Sequence, residues 1–470
     1  MRMISSLLLL IAIIAGTLTG PGCANIIPPA GGPRDSLPPI IIKASPNDST
    51  RNFKGNRIVL SFNEFVEVQS PQENIVISPL PKTFPTVEYK LNTVTVKLKD
   101  SLEPNTTYHI QFGNAIKDFN EGNVLKDPGY TFSTGNYIDS LELSGKVILA
   151  ETGKIDTTLI VMLHTDSRDS AVVKDKPRYI SKLDNNGRFF FKNLPPKTFY
   201  IYALKDEAGT RRYFRDNQLF AFSSKPIVVT GKNEPVTLYA YASKPPTLAN
   251  ALTAIGNKNK INNVADKRLR YTTTLSAGIQ DLLVPFKFTF DIPLKTFDSS
   301  RLQLFTDSNF VPVAKYNWLP DSTRKIITLQ TVWKENTTYA IIMDKDFAAD
   351  TLGRKLLKSD TIVFHTKKLT EYGSLKIRFK NLDLSKNPVL FLVVGENIYK
   401  SIPFSGNEIS LDLFPPGEYE LRILFDENKN GRWDPGEFFG KHKQPEIVKT
   451  LTRKVNVKAG FANEFDIDAE

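Results

Sequence analysis

The sequence predicts an all-β protein, a tandem array of β-sandwiches in A-B-A-B order behind an N-terminal signal helix. Three observations predict it. Apolar residues alternate with period two along short runs: Ile58, Leu60 and Phe62, then Val94, Val96 and Leu98, then Tyr108, Ile110 and Phe112. That spacing turns one face of a strand to a core and the other to water. An aromatic share of 11% leans towards strand-rich structure. The chain also repeats itself. Residues 103–134 return at 334–366, with Asn105, Thr107 and Tyr108 replaced in order by Asn336, Thr338 and Tyr339. Residues 193–207 return at 413–427, with Pro195, Pro196 and Asp206 matched 220 positions later by Pro415, Pro416 and Asp426. A chain of 470 residues is too long for one core. It suits about four units near 100 residues each.

The N-terminal segment, 1–22, reads as a targeting signal: Arg2 gives a positive start, and Ile4 to Leu18 is an apolar run too short for a good membrane span. Behind it stands Cys23, the only cysteine of the chain, which cannot form an intramolecular disulfide. The segment resembles a signal peptide with a lipobox. That resemblance implies lipidation of Cys23, although Gly20 stands where a lipobox carries Leu and Leu18 lies two positions further back. Residues 23–36, rich in Pro and Gly, read as a tether.

The first A unit, 37–135, places turn chemistry at Pro104 and Asn105 and a final strand at Tyr130 to Ser133. Short strands at such spacing indicate a sandwich. The runs SPNDSTRNFKGNRIVLSFNEFVEV, LEPNTTYHIQF and YTFST are similar to the bacterial Ig-like family first described in S-layer proteins, the SbsA-type domain. The first B unit, 139–243, carries Asp184, Asn185, Asn186 and Gly187 between alternating apolar runs, a hairpin signal. Its order resembles carboxypeptidase-regulatory-like, or prealbumin-like, β-sandwiches, which are non-catalytic. A linker spans 244–268. A second, divergent Ig-like unit follows at 269–368, with Asp291 where the first copy has Glu64. A second prealbumin-like unit, 371–470, keeps Leu411, Pro415, Pro416, Gly417 and Tyr419. End to end the chain resembles Bacteroidota lipoproteins with Ig-like domains. The resemblance implies an exported protein of the cell envelope, anchored in the outer membrane and facing the periplasm or the surface.

The sharpest chemical pattern is Asp426, Asn428, Asn430, Gly431, Arg432, Asp434 and Glu437, at positions 1, 3, 5, 6, 7, 9 and 12 of an EF-hand loop. The spacing offers side-chain oxygens from Asp426, Asn428, Asn430, Asp434 and Glu437 and the carbonyl of Arg432 to a structural Ca²⁺. An Asx and Gly hairpin turn would use the same residues. The first copy has Ala208 where the second has Asn428, so only the C-terminal copy offers a metal loop. No cofactor is required. Asp followed by Ser or Thr and then an apolar residue or Thr recurs, making Ser36, Ser49, Ser101, Ser140, Thr157, Ser170, Ser322, Thr351 and Thr361 candidates for O-glycosylation. The pattern resembles the periplasmic acceptor motif of Bacteroidota, and Asp-Ser and Asp-Thr also favour turns.

Nothing in the sequence points to catalysis. His109, His164, His365 and His442 lack metal-ligand spacing, and no nucleophile elbow or Gly-rich phosphate loop occurs. The net charge of +11 invites nucleic acid, but the export signal removes that partner. The partners expected are a lipid bilayer through Cys23 and envelope proteins or glycans. The leading reading is a non-enzymatic structural or interaction array. A glycan-binding lipoprotein, with Trp318, Trp333 and Trp433 as candidate platforms, is the alternative, although Trp333 precedes the repeated ENTTY turn and reads rather as core; a divergent hydrolase with a hidden carboxylate pair is the second.

Overall fold

The computed structural model describes residues 34–243, 268–306 and 309–470. The signal segment, Cys23 and nearly all of the linker lie outside the described residues. Among the described residues the regular secondary structure is almost wholly strand, with two single-turn α-helices at Pro71–Asn74 and Ala171–Lys174. No described helix is long and apolar enough to cross a membrane. The protein is a tandem array of β-sandwiches. It divides into two compact units, one reaching to Leu141 and including Lys192–Pro195, the other formed by Glu142–Phe191 and Pro196–Glu470.

In the first unit, strands Ile41–Ser45, Arg57–Phe62, Thr93–Lys97 and Thr86–Lys90 form one sheet in that order. Strands Val76–Ser78, Thr107–Gln111 and Gly129–Ser133 form the other. The period-two residues do what their spacing predicts: Ile58, Leu60, Phe62, Val94, Val96, Ile110 and Phe112 are buried in one core with Tyr130 and Phe132.

The later A module repeats this order within the second unit. Tyr271–Thr273, Phe286–Phe290, Ile326–Gln330 and Asn317–Pro320 make the first sheet, and Leu302–Thr306, Thr338–Met343 and Asp360–Thr366 form the centre of the second. Its front end differs in sequence but keeps the same pairing, because Phe286, Phe288 and Phe290 supply the alternation that fills its core.

The residues shared by the two A copies close one turn in the same way twice. Asn105 and Asn336 sit at φ of 50° and 45°, a left-handed conformation that Asn tolerates better than most side chains. Tyr108 Oη accepts the Glu103 N–H at 2.9 Å, and Tyr339 Oη accepts that of Lys334 at 3.2 Å. The Thr106 N–H donates to Thr134 Oγ1 at 3.0 Å, and the Thr337 N–H to Thr366 Oγ1 at 2.9 Å. Those two hydroxyls in turn donate to the carbonyls of Glu103 and Lys334 at 2.6 and 2.5 Å. Each bond is worth about 1 kcal/mol net. The repeated sequence is therefore a repeated clip that ties the last strand of the module to the turn before its Tyr.

The B modules also repeat strand for strand. Tyr179–Lys182, Leu159–His164, Thr198–Lys205 and Phe220–Phe222 match Asn397–Pro403, Pro388–Val394, Gly417–Phe425 and Ile447–Thr450 in order. In each module the first strand pairs in parallel with the last: Gly145–Leu149 with Val236–Ala240, and Ser374–Lys380 with Ala462–Asp468.

Candidate functional site

In the second unit a hydrogen-bonded polar loop lies between Phe425 and Ile447. Strand Gly417–Phe425 delivers Asp426, which is buried. Its carboxylate oxygens accept the N–H groups of Asn430 at 3.2 Å and Gly431 at 2.7 Å. Gly431 takes a φ of 74°, which allows the turn. Asn428 Oδ1 accepts the Asn430 N–H at 3.0 Å, and Asn430 Oδ1 accepts that of Arg432 at 2.7 Å. The side-chain amides of Asn428 and Asn430 both donate to Asp434. Asp426, Asn428, Asn430, Arg432 and Asp434 thus share one turn. Glu437 pairs with Lys441 at 2.8 Å. Buried Glu446 closes the base, its oxygens accepting the N–H groups of Glu427 and Asp434 at 3.0 Å each. Burial holds the Glu446 carboxyl above the ordinary range; these two N–H groups oppose the shift, and the charges of Asp434 and Asp426 add to it.

The first copy explains why an Asp stands here. Asp206 accepts the N–H groups of Thr210 and Arg211 at 2.9 and 2.8 Å, four and five residues on, as Asp426 does for Asn430 and Gly431. This turn is common to both copies. Among the described residues no group of three or more His, Cys, Asp or Glu is placed to hold a metal ion.

The remainder of the loop docks the second B module onto the first, a role that sequence reasoning missed. Phe438 is buried with ring centres of Phe222, Phe220 and Tyr202 at 5.0, 5.2 and 5.7 Å. Phe439 stacks on Tyr213 at 5.9 Å. His442 lies flat on Phe438 and meets Asp169 through Nε2 at 2.8 Å. Gln444 donates to the Phe222 carbonyl at 3.1 Å and to Ser224 at 3.0 Å. Beyond it the Val448 N–H reaches the Ala150 carbonyl at 2.8 Å, and Thr450 donates to that of Thr152. Glycine is required twice. A Cβ on Gly436 would stand 2.7 Å from Tyr241 Cζ, and one on Gly153 would stand 2.7 Å from the Thr450 nitrogen. The available signal was the Phe438–Phe439 pair inside an otherwise polar loop.

Beside this junction lies a cavity of about 820 Å³, lined among others by Phe214, Arg215, Asn217, Tyr241 and Trp433, with Glu151 and Glu207 opposed by Lys205. Trp433 is half-buried, its Nε1 donating to the Glu446 carbonyl at 2.7 Å. Of the other two Trp residues, Trp318 is corrected as a platform, whereas Trp333 packs on the core as its place before the repeated turn predicts. Trp318 is buried in the later A core, facing inward because its strand alternates, with Nε1 on the Leu302 carbonyl. Trp333 packs edge-on against Tyr339 and Phe364.

The histidines are dispersed. His109 contacts Thr131 and Gln111, and burial lowers its pKa. His164 is buried with Nε2 unpartnered, and burial pushes it down to about 4 against the pull of Asp175 and Asp166. His365 meets Thr338, and His442 belongs to the junction. Of the nine acceptor hydroxyls, Ser36, Ser49, Ser101, Ser140, Thr157, Ser322, Thr351 and Thr361 are exposed, and Ser170 is half-buried. Several of the preceding Asp residues hold turns, as Asp321 does by accepting the N–H groups of Lys325 and Ile326.

Residues 35–134 match the family model described as a bacterial Ig-like domain. No curated protein matches the chain. Among solved structures, the Bacillus anthracis TIE protein is 12% identical over 93% of this chain and 75% of its own, with a TM-score of 0.17. BcpA, the major pilin subunit of Bacillus cereus, is 9% identical over 70% of this chain and 99% of its own, also at 0.17. The S-layer protein rSbsC(31-844) is 12% identical over 89% and 67%, at 0.16. Likenesses so distant carry no argument about arrangement or activity.

Proposed function

We propose that this protein is an exported, membrane-anchored envelope lipoprotein of the Bacteroidota type, whose sandwich modules act as a structural and protein-interaction array rather than as an enzyme. One observation carries the reading: a long loop, Asp426 to Glu446, joins two sandwiches through Phe438, His442 and Gln444. The SbsA-type resemblance of the first module and the lipobox-like segment before Cys23 support the location. The anchor is tested by metabolic labelling with a fatty acid. Cys23→Ala is expected to lose the label and to leave the membrane fraction; retained label would refute it. Crosslinking in intact cells identifies the envelope partners. The exposed Ser and Thr hydroxyls named above are the proposed glycan acceptors.

A structural Ca²⁺ at Asp426, Asn428, Asn430, Arg432, Asp434 and Glu437 forms part of the same proposal, as a local staple. Millimolar Ca²⁺ is expected to raise the melting temperature, and Asp426→Ala to abolish that rise. An unchanged melting curve would leave the hydrogen-bonded turn as the staple.

Glycan binding is the second reading, favoured by the cavity that Trp433, Tyr241 and Phe214 share with Asn217 and Arg215. Aromatic faces with a few polar groups suit sugar rings. Soluble polysaccharide fragments should then quench the fluorescence of the native chain but not that of Trp433→Phe, and equal quenching would remove the reading.

A further inference from the structure

Six large apolar side chains stand in water at one end of the N-terminal sandwich: Leu37 (67% exposed), Ile42 (64%), Phe119 (61%), Leu91 (60%), Ile40 (59%) and Phe65 (52%). Backbone bonds gather them from separate segments. The Ile40 carbonyl accepts the Asn63 N–H at 3.1 Å, that of Leu91 accepts Val66 at 3.0 Å, and that of Phe65 accepts Phe119 at 2.9 Å. Asn123 donates to the Asp35 carbonyl at 3.1 Å, which brings the run before Leu37 to the same end. Singly exposed apolar residues need no explanation, but six converging on one end of one module do. Each is more than half exposed, so they project from the end of the sandwich rather than line a groove.

The position of the group along the chain says what it meets. Ten residues, 24–33, separate Cys23 from Arg34. Fully extended, such a run spans at most about 36 Å. The opposite end of the module carries the chain onward, since Gly135 and Ser133 pair with the Asn52–Phe53 turn beyond the first strand. The apolar end is thus the one that the tether reaches first. Its charges select the surface further. Asp35, Glu64, Asp118 and Glu121 cluster there, and burial followed by the charges of Asp118, Asp35 and Glu121 holds the Glu64 carboxyl above its usual range. Arg34, which donates to the Glu121 carbonyl at 3.0 Å, and exposed Lys90 beside Leu91 offset these carboxylates only in part, so a zwitterionic surface is favoured over an anionic one.

We propose that this end of the first sandwich is a membrane-resting surface, whose six apolar side chains partition into the interface of a zwitterionic lipid bilayer. The geometry rests on the proposed anchor at Cys23, since that anchor places the bilayer within reach. Interfacial binding of this kind scales with the apolar area immersed.

The test uses the full chain without its acyl group. Cys23→Ala protein is floated with phosphatidylcholine vesicles beside the same chain carrying Phe65→Ser, Leu91→Ser and Phe119→Ser. The parent is expected to float about fivefold more than the triple variant, given the apolar area lost. Flotation should withstand about 0.5 M NaCl, since no charge attraction is involved, and should fall as phosphatidylglycerol is added. Equal flotation, or none by either chain, would overturn the proposal. Should the triple variant not fold, Leu91→Lys alone replaces it in the same assay. In intact cells, a photoreactive residue in place of Leu91 is expected to label lipid; label on an envelope protein, or on residues 24–33, would also overturn it. The anchor itself is judged by the fatty-acid label, which flotation of the unacylated chain does not touch.

Discussion

Phe438→Ala is expected to undock the two B modules while leaving each one folded. The ring sits among Tyr202, Phe220, Phe222 and His442 with centre distances of 5.0–5.7 Å, and no other side chain of the loop is enclosed on so many sides by aromatic rings. Truncating a buried Phe to Ala removes its transfer energy and leaves a cavity, together about 3–5 kcal/mol. The other junction contacts are the Phe439–Tyr213 stack, the exposed Lys154–Glu396 pair and hydrogen bonds worth about 1 kcal/mol each, too weak together to hold the faces once the ring is gone. Hydrogen exchange reads the result. Amides at Val448 and around Phe222 should lose protection, whereas those of Leu390, Leu392 and Ile423 in the second B core should keep theirs. Protection unchanged at Val448 would mean that the strand-edge contact with Ala150 suffices without Phe438.

The second large effect is expected at Gly145. A Cβ there would stand 2.0 Å from the Val236 carbonyl oxygen and 2.4 Å from the ring of Phe189. The nearest atom is backbone of the paired strand, so no rotamer change relieves it. Overpacking ordinarily costs about 1–3 kcal/mol, and a backbone clash inside a parallel ladder belongs at the top of that range. Gly145→Ala should therefore shift the denaturant midpoint strongly, while Gly406→Ala, with nothing within 4 Å, should not. A mild Gly145→Ala would show that the two strands can part locally without loss of the module.

These predictions mark where the sequence is transparent and where it is not. Asn105 and Asn336 were legible because a left-handed turn restricts residue choice locally, and the clip that follows uses side chains only a few positions away along with one Thr at the end of the final strand, Thr134 or Thr366. The alternating runs were legible for a similar reason, since period two needs only near neighbours. Trp318 was opaque as a platform: an aromatic residue looks the same in sequence whether its strand turns it inward or outward, and only pairing with Leu329 fixes its face. The loop from Asp426 was half legible. Its turn follows from Asx chemistry, repeated at Asp206. The fate of Phe438, His442 and Gln444 depends on residues more than 200 positions earlier, and no local pattern encodes such a meeting. Glu437 enters the metal pattern at its twelfth position, and in the structure its carboxylate pairs with Lys441.

The parallel pairing of first and last strands in each B module bears on mechanical load. A tensile pull along the chain enters such a module at one end of the first strand and leaves from the opposite end of the last. Traction then acts along the ladder, so its bonds must rupture together rather than unzip one by one. The C-terminal module joins the two strands over seven residue pairs, from Ser374–Ala462 to Lys380–Asp468, against five from Gly145–Val236 to Leu149–Ala240. Under tension the earlier B module would be the first of the two to yield.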